Sequence, residues 1–266
     1  MKKLILSLFA ISILMTSCDD GWGLFDKAKR ITGTGAVERT TRDVKDFKSI
    51  HLSTSANVFV KQSAAFKVEV EAQKNIAELF ETVVENGVLK LKLKNGSWNL
   101  NFDKLNVYVE MPSVEGLDIS SSGDITVETA LSGDKLTLNI SGSGSILAEK
   151  GLTMKTLKID ATGSGDVKAS SMVVGDLSAE ITGSGGLELA GTADKADYSV
   201  TGSGDISAKN VKSKSVEAQV TGSGDISCHA DEALDAQSTG SGNISYSGSA
   251  TVVKSKALGS GSVSKE

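Results

Sequence analysis

Acidic and amide side chains follow a recurring Gly-Ser-Gly motif, and they are the residues of this chain most suggestive of chemistry. A column of carboxylates on stacked turns could hold calcium, which takes about six to eight oxygen ligands. Only Asp205 and Asp225 are charged in neighbouring copies, however, and calcium-binding β-rolls have a shorter repeat with a different pattern. We therefore predict no metal site and keep calcium as the alternative. The residue after the second glycine reads, copy by copy, Asp124, Ser145, Asp166, Gly186, Asp205, Asp225, Asn243 and Ser262.

The Gly-Ser-Gly turns are rich in glycine, as phosphate-binding loops are. Those loops bind phosphate where a strand leads into the N-terminus of a helix, and no helical pattern follows any copy here. The structural interpretation is that glycine supplies a positive φ at a tight corner while Asp or Asn hydrogen-bonds the local backbone. We predict no nucleotide site and no cofactor.

Cys228 and His229 are adjacent and have the residue types of a nucleophile and its base. Neighbours on a strand point to opposite faces, so we predict a buried thiol at Cys228 and a histidine turned to solvent at His229. His51 is far away in sequence, and neither histidine has zinc-ligand spacing. These observations predict no catalytic residue.

A polysaccharide-acting enzyme is the rival class, because parallel β-helices host such activities. Those reactions require carboxylates clustered with basic partners, or two carboxylates at a defined separation. All three arginines, Arg30, Arg39 and Arg42, precede the repeats, and the charges within the repeats are scattered. The enzyme is retained only as an alternative.

The first residues have the layout of a secretory signal. Lys2-Lys3 precede an apolar stretch from Leu4 to Met15, and small residues stand directly before Cys18. We predict a lipoprotein signal peptide at 1–17, lipidation of Cys18 and a tether over 18–37. Two or more acyl chains anchor a protein stably. Asp19-Asp20 directly after the cysteine resemble membrane-sorting signals of some Gram-negative lipoproteins, and we predict an outer-membrane lipoprotein that is either periplasmic or surface-exposed.

The net charge limits the classes of binding partner, and the cysteine count limits the possible disulfides. The formal net charge is -5 and there is no basic cluster, which argues against nucleic acid. No second apolar run is long enough to span a bilayer, so membrane contact is predicted to rest on the N-terminal lipid. Cys18 and Cys228 are the only cysteines, and acylation of the first would leave no intrachain disulfide.

Self-similarity with a period of 18 to 21 residues runs from residue 121 to the end. A period near this value indicates one turn of a solenoid. Strand-forming residues alternate with spacing two, which favours β over helical repeats. The motif begins at Gly142, Gly163, Gly183, Gly202, Gly222, Gly240 and Gly259, with a variant copy at Ser121.

An aliphatic column follows each motif, and we predict that it points inward. A second inward column lies two residues further on, because alternate residues of a strand share a face. The repeats therefore predict a parallel β-helix over 113–266. The first column is Ile125, Ile146, Val167, Leu187, Ile206, Ile226, Ile244 and Val263, and the second is Val127, Ala148, Ala169, Leu189, Ala208, Cys228 and Tyr246.

A β-rich region with antiparallel hairpins is predicted over 38–112, ahead of the repeats. Asn86-Gly87 lies between two apolar runs, which is the strongest short-range signal of a hairpin. The alternation of leucines with lysines predicts a strand with one buried and one solvent-exposed face; the leucines are Leu89, Leu91 and Leu93. Pro112, the only proline, marks the predicted boundary.

The sequence resembles the family of putative auto-transporter adhesins with a head GIN domain, a group of exported proteins. The stretches that carry the resemblance are Arg42–Ile50, Asn57–Gln62, Leu105–Pro112 and the recurring Gly-Ser-Gly-Asp-Ile, and together they span roughly residues 38 to 266. The resemblance implies a right-handed, single-stranded β-helix in the repeats. It brings no catalytic residue, and it favours a binding role.

We predict an all-β, non-enzymatic lipoprotein of the cell envelope, acting as an adhesin or binding scaffold for a glycan or a protein. Repetition favours extended, multipoint contact over a pocket. A purely structural spacer that binds nothing specific is the alternative from another class. The oligomeric state is left open.

Overall fold

A computed structural model describes residues 29–96 and 98–266, so the predicted signal peptide at 1–17 and Cys18 lie outside the described residues. The described chain is built of strands and one short helix, α1 (Lys74–Ala77). The strands before the repeats are β1 (Lys29–Thr32), β2 (Val37–Arg42), β3 (Ser49–Leu52), β4 (Asn57–Gln62), β5 (Lys67–Gln73), β6 (Phe80–Glu85), β7 (Val88–Leu93), β8 (Trp98–Asn101) and β9 (Leu105–Met111). Those that follow are β10 (Gly116–Ile119), β11 (Asp124–Val127), β12 (Leu131–Gly142), β13 (Ser145–Ala148), β14 (Leu152–Gly163), β15 (Asp166–Gly183), β16 (Gly186–Gly202), β17 (Asp205–Gly222), β18 (Ile226–Gly240), β19 (Ile244–Ser247), β20 (Val252–Gly259) and β21 (Val263–Lys265).

The repeats form a parallel β-solenoid of about eight coils with about twenty residues per coil, as the repeat period predicted. Each coil pairs in parallel with the next, so that β14, β15, β16, β17 and β18 follow one another along the stack. The register places Ile159 beside Ala179 and Ala179 beside Tyr198. Like positions of successive repeats therefore lie directly over one another.

The first predicted aliphatic column points inward and aligns coil upon coil. Ile146 pairs with Val167, Val167 with Leu187, and Leu187 with Ile206. All members from Ile125 to Ile244 are buried, while Val263 in the last coil is half-buried. The inward column of the β-helix is thus confirmed.

One large residue in the core is offset by small neighbours. Tyr198 is fully buried, and the residues at its position in the coils on either side are Ala179 and Ala218. Interiors are packed to nearly crystalline density, so a bulky ring in one coil needs reduced volume in the next. The aliphatic columns therefore tolerate variation in size when neighbouring coils compensate for it.

The region before the repeats continues the same stack, but out of chain order. On one side β7 pairs in parallel with β3, and β3 with β10. On the other side β9 pairs in parallel with β4, and β4 with β11. The buried core runs across Pro112 without a break, because residues on both sides of it belong to one cluster.

Antiparallel strands close this end of the stack. The hairpin β6–β7 is confirmed, with Asn86 at φ 53° and Gly87 at φ 76° in its turn. On the other side β5 is antiparallel to both β9 and β2. Phe47, Ile76 and Phe80 are buried beneath these elements. Within the segment predicted to be a tether, β1 forms a separate parallel pair with β8.

The Gly-Ser-Gly corners are the places where successive coils approach most closely. At the corner of β17, Gly222 has φ +130°, and a Cβ there would overlap the carbonyl oxygen of Gly202. That oxygen points at the next coil because it accepts the N–H of Ser223 at 2.8 Å. The predicted positive φ is confirmed at the corners from Gly163 to Gly259 but not at Gly142, and steric closeness is a second reason for glycine.

Replacing Gly222 with alanine should destabilise the protein by about 3 kcal/mol, since alanine would be strained at positive φ and would push the Gly202 carbonyl aside. Thermal unfolding followed by circular dichroism should show a fall in Tm of roughly 5 to 10 °C. Ser223→Ala is the matched control, because that side chain is exposed in the same motif. Equal stability of the two variants would refute the close-approach argument.

Candidate functional site

Aspartates that follow the Gly-Ser-Gly motif hydrogen-bond to the next coil and not to their own turn, which corrects the prediction of a local backbone partner. Oδ1 of Asp124 accepts the backbone N–H of Ser145 at 2.9 Å. Asp166 accepts that of Gly186 at 2.8 Å, and Asp205 that of Asp225 at 2.8 Å. The aspartate column is therefore a ladder of links between coils.

A backbone carbonyl takes over where this position has no carboxylate. After Ser145, the N–H of Asp166 donates to the carbonyl of Gly144 at 3.2 Å. After Gly186, the N–H of Asp205 donates to the carbonyl of Gly185, also at 3.2 Å. Each coil thus satisfies the next N–H by one route or the other, which explains why the aspartate is not required in every copy.

Calcium would have to compete with these links for the aspartate oxygens. Within residues 29–96 and 98–266, no three His, Cys, Asp or Glu side chains gather closely enough to hold a metal ion. The absence of a metal site stays a prediction.

His229 lies on the outer face and is held between two coils. Its Nδ1 is 2.9 Å from Oγ of Ser247, and its Nε2 is 3.0 Å from Oδ1 of Asp231. The prediction that His229 lies on the outer face of the strand is correct, but it did not include the hydrogen bonds to Ser247 and Asp231. His51, on the remote β3, contacts Ser120 through Nε2 at 3.2 Å.

Cys228 is buried and its side chain points away from His229, as strand alternation predicted. Burial raises the pKa of the Cys228 thiol to about 12. Because the thiolate is the reactive form, a thiol with this pKa is a poor nucleophile near neutral pH. The Cys-His pair therefore lacks the geometry and the protonation state of a catalytic dyad.

A stacked aromatic pair reinforces the capped end. The rings of Tyr108 and Phe59 lie 5.2 Å apart, and the guanidinium carbon of Arg39 lies 4.0 Å from the Tyr108 centroid. Tyr108 donates its hydroxyl to Glu71 at 2.9 Å. Partial desolvation acts to raise the pKa of Glu71, but the Tyr108 hydrogen bond and the charges of Lys104 and Arg39 outweigh it and lower the pKa. This network joins β2, β5, β9 and β4.

Sequence reasoning missed an open groove of about 430 Å³ that runs along the stack across successive coils. We call it the axial groove. One wall consists of residues that pair coil to coil: Thr156, Asp176, Lys195, Ser215, Ala233 and Val252. The opposite wall consists of Ser178, Asp197, Glu217, Asp235 and Lys254.

Four residues of one inward column form the floor of the axial groove. Leu177, Ala196, Val216 and Leu234 line it, and each lies between one residue of each wall in the sequence. The side chains of these floor residues point into the core and are almost fully buried, so very little of their aliphatic surface is open to a ligand. The signal in the sequence was the pair of polar columns that flank one inward column, but alternation alone cannot tell a concave strand from a flat one.

Charge in the axial groove is predominantly negative. Four carboxylates, those of Asp176, Asp197, Glu217 and Asp235, line the groove together with two amines, those of Lys195 and Lys254. Lys254 lies 3.8 Å from Asp235. An open, repeating surface of this kind can make many weak contacts along an elongated ligand.

Fold and groove together define a β-solenoid protein that offers an extended, repeating surface. The chain belongs to the family described as putative auto-transporter adhesin, head GIN domain, whose model matches residues 46–173 and 137–250. The two matches overlap, as expected for a family whose unit is itself repetitive. No curated protein matched the sequence.

Solved structures of similar proteins share the fold. A putative lipid binding protein from Parabacteroides distasonis is 29% identical, with a TM-score of 0.85, over 90% of this chain and 100% of that one. A putative adhesin from Parabacteroides merdae is 25% identical, with the same TM-score and coverage. A putative adhesin from Bacteroides fragilis is 26% identical, with a TM-score of 0.67, over 89% of this chain and all of that one. In the part of this chain that the structure describes, no helix has the length and apolar character needed to cross a bilayer.

Removing one aspartate of the ladder should loosen the following coil locally. In Asp205→Ala the N–H of Asp225 loses its carboxylate acceptor at 2.8 Å and can gain at best the longer bond to a backbone carbonyl that is found after Ser145 and Gly186. Its amide hydrogen exchange should therefore accelerate roughly fivefold. Asp205→Asn keeps an oxygen at the same place and should exchange close to the wild-type rate. Exchange followed by mass spectrometry or NMR checks this, and unchanged exchange in the alanine variant would contradict the ladder.

The Cys228 thiol should resist alkylation by iodoacetamide in the folded protein at pH 7 to about 8, because it is protonated and buried. In denaturant it should react fully, as mass spectrometry of its peptide would show. Ser227→Cys places a thiol on the outer face of the same strand and should react in the native state. Rapid native labelling of Cys228 itself would refute the inward orientation.

Proposed function

We propose that this protein is an exported, lipid-anchored envelope protein that acts as an adhesin or binding scaffold and does not catalyse. The axial groove carries the proposal, because it repeats one set of wall and floor positions over successive coils. Membership of a family described as adhesins supports the same role. The ligand would be elongated and would lie along the stack.

The polar constellations of the chain support binding better than turnover. The hydrogen-bonded set of Ser247, His229 and Asp231 has the residue types of a hydrolytic triad. None of the three lines the axial groove, where an extended substrate would lie. Its hydrogen bonds join two consecutive coils, which gives the set a structural role.

Anchoring is proposed through Cys18, preceded by the basic and apolar segments of a secretory signal. Acyl chains on that cysteine would hold the solenoid at the membrane. The lipidated form should be labelled by radioactive palmitate in cells, whereas Cys18→Ser should be unlabelled and recovered in the soluble fraction. Proteolytic shaving of intact cells would then show whether the solenoid is surface-exposed.

An acyl chain is the second candidate ligand. The 29% identical relative from Parabacteroides distasonis is described as a putative lipid binding protein. The exposed apolar side chain of Val252 in one wall of the axial groove is the feature that favours this ligand here. Its carboxylate walls favour a polar one.

Cells that display the protein should bind a glycan or protein surface, and filling the axial groove should weaken that binding about tenfold. Ser215→Trp places an indole in the groove wall, while Ser223→Trp places one on an exposed corner outside it and serves as the control. Glycan arrays and pull-downs with the full-length protein provide the measurement. Uniformly empty results would favour the structural spacer instead.

A further inference from the structure

We propose that the last coil of the solenoid binds the last coil of a second copy, tail to tail, about a two-fold axis. The last coil consists of β20, the corner Gly259-Ser260-Gly261 and β21. This inference rests on the proposed lipid-anchored, adhesive function and names a partner for it. It is carried by the exposed apolar residues, the free strand edges, the stepped shape and the charges of this coil.

The last coil exposes apolar positions that the preceding coils bury. Val253 pairs with Leu234 of β18, yet Val253 is 41% exposed whereas Leu234 is 2% exposed. Val263 is likewise only half-buried, although it pairs with the fully buried Ile244. The large apolar side chains that are strongly exposed in the described ranges are Val173 and, within β20, Val252, Val253 and Leu258.

The backbone of the last coil is also free along one edge. Along the part of the chain that the structure describes, β20 pairs only with β18, and β21 only with β19. The N–H and C=O groups on the other edge of each strand can therefore pair with a further strand. The opposite end of the solenoid differs, because Ile76 and Phe80 are buried there. A solenoid end with an open core needs a cover.

The end of the last coil is stepped, and the step selects the partner. β19 and β20 both stack on β18, whereas β21 stacks on β19 and so lies one rung further out on its side. A two-fold axis through the Gly-Ser-Gly corner exchanges the two sides of the coil. The protruding β21 of each copy then fills the lower position above β20 of the other, and the paired strands run antiparallel. Such an interface is self-complementary because each contact occurs twice.

A copy that stacked head to tail would not fit in this way. At the other end of the solenoid β2 lies one rung beyond β5, on the same side of the stack as β21. On the opposite side the stack ends at β6. The strands β2 and β21 would therefore collide before β6 could reach β20. The steps of the two ends favour the tail-to-tail arrangement.

One register of the antiparallel pairing matches both polarity and charge. It keeps inward positions opposite inward positions, because strand residues alternate between faces. It also places the carboxylate of Glu266 opposite the amine of Lys254, and opposite charges across a strand pair attract. Lysines on an edge strand hinder pairing with unrelated strands, so they favour a partner that supplies this carboxylate. The cross-strand pairs are Val263 with Ala257, Ser264 with Lys256, and Glu266 with Lys254 of the second copy.

The proposed anchor makes the tail-to-tail contact a bridge. The N-terminal strands lie at the closed end of the stack, and about eight coils separate that end from the last coil by roughly 40 Å. A tail-to-tail pair carries its two lipid anchors at opposite ends, so it would join copies on two apposed membranes. Each contact can be weak, because many copies act together on a surface.

Cross-linking of two cysteine variants tests the two-fold register. Full-length proteins that carry Cys18→Ser are prepared with either Lys256→Cys or Ser264→Cys and treated with a short bis-maleimide at roughly 0.1 mM, a concentration suited to a weak contact. The mixture should form covalent dimers, whereas each variant alone should stay largely monomeric, because position 256 faces position 264 and not itself. Cys228 should not interfere, since it is buried.

The matched control replaces Ser264→Cys with Ser223→Cys, which lies on an exposed corner outside the last coil. Mixed with Lys256→Cys, it should give no covalent dimer. No cross-linking in the first mixture, or equal cross-linking of each variant alone, would overturn the tail-to-tail arrangement.

Clustering of vesicles tests the bridge. Phosphatidylcholine vesicles that carry the lipidated full-length protein should cluster, as light scattering would show, and Val253→Asp should reduce the clustering about tenfold, because it buries a charge at the contact. Val173→Asp is the matched control, since Val173 is 56% exposed but lies outside the last coil. Circular dichroism should show both variants folded. Clustering that survives Val253→Asp, or that both variants reduce equally, would overturn the proposal.

Other outcomes separate this inference from the proposed function. Protein-bearing vesicles that clustered equally well with bare vesicles would indicate direct binding to lipid and would overturn the tail-to-tail inference. If vesicles did not cluster but Ser215→Trp still weakened adhesion of cells, the binding function would stand and the tail-to-tail inference would fail. If no clustering occurred and cells bound no glycan or protein surface, both proposals would fail.

Discussion

The structure depends on how closely successive coils approach at the Gly-Ser-Gly corners. A carbonyl oxygen of one coil accepts an N–H of the next and occupies the space that a Cβ would need. This closeness recurs at corner after corner, so the coils are held in register on both sides of each corner, and the register shifts fall in the segments between corners. Because the register is kept on both sides of the corners, aliphatic side chains stack inside, and polar side chains are left in columns outside.

Two further interactions stabilise the stack once the register is set. The inward columns bury apolar surface between coils, which no single coil of about twenty residues could do alone. The ladder of Asp124, Asp166, Asp205 and Asp225 satisfies backbone donors of the following coil at one edge. Both interactions link nearest neighbours, so stability should be distributed along the solenoid and not concentrated in one core.

The same pairing of like positions produces the surface proposed to bind. A groove that lies across coils inherits their spacing, and its wall residues can vary in charge without disturbing the buried columns. The antiparallel strands before the repeats, reinforced by Arg39, Tyr108 and Glu71, close one end of the stack. Structural and binding roles therefore fall on different faces of the same strands.

The sequence by itself determined the features that depend on local or periodic patterns of residues. These are the coil length, the inward columns, the glycine corners and the Asn86-Gly87 hairpin. These follow from periodicity and turn chemistry, which act over a few residues or repeat at a constant interval. Only the tertiary structure decided that Asp205 bonds to the coil twenty residues later, that His229 meets Ser247, and that β3 and β4 stack on β10 and β11. The axial groove also belongs to this second group, because concavity depends on how each strand bends within the stack and alternation is the same in flat and curved strands.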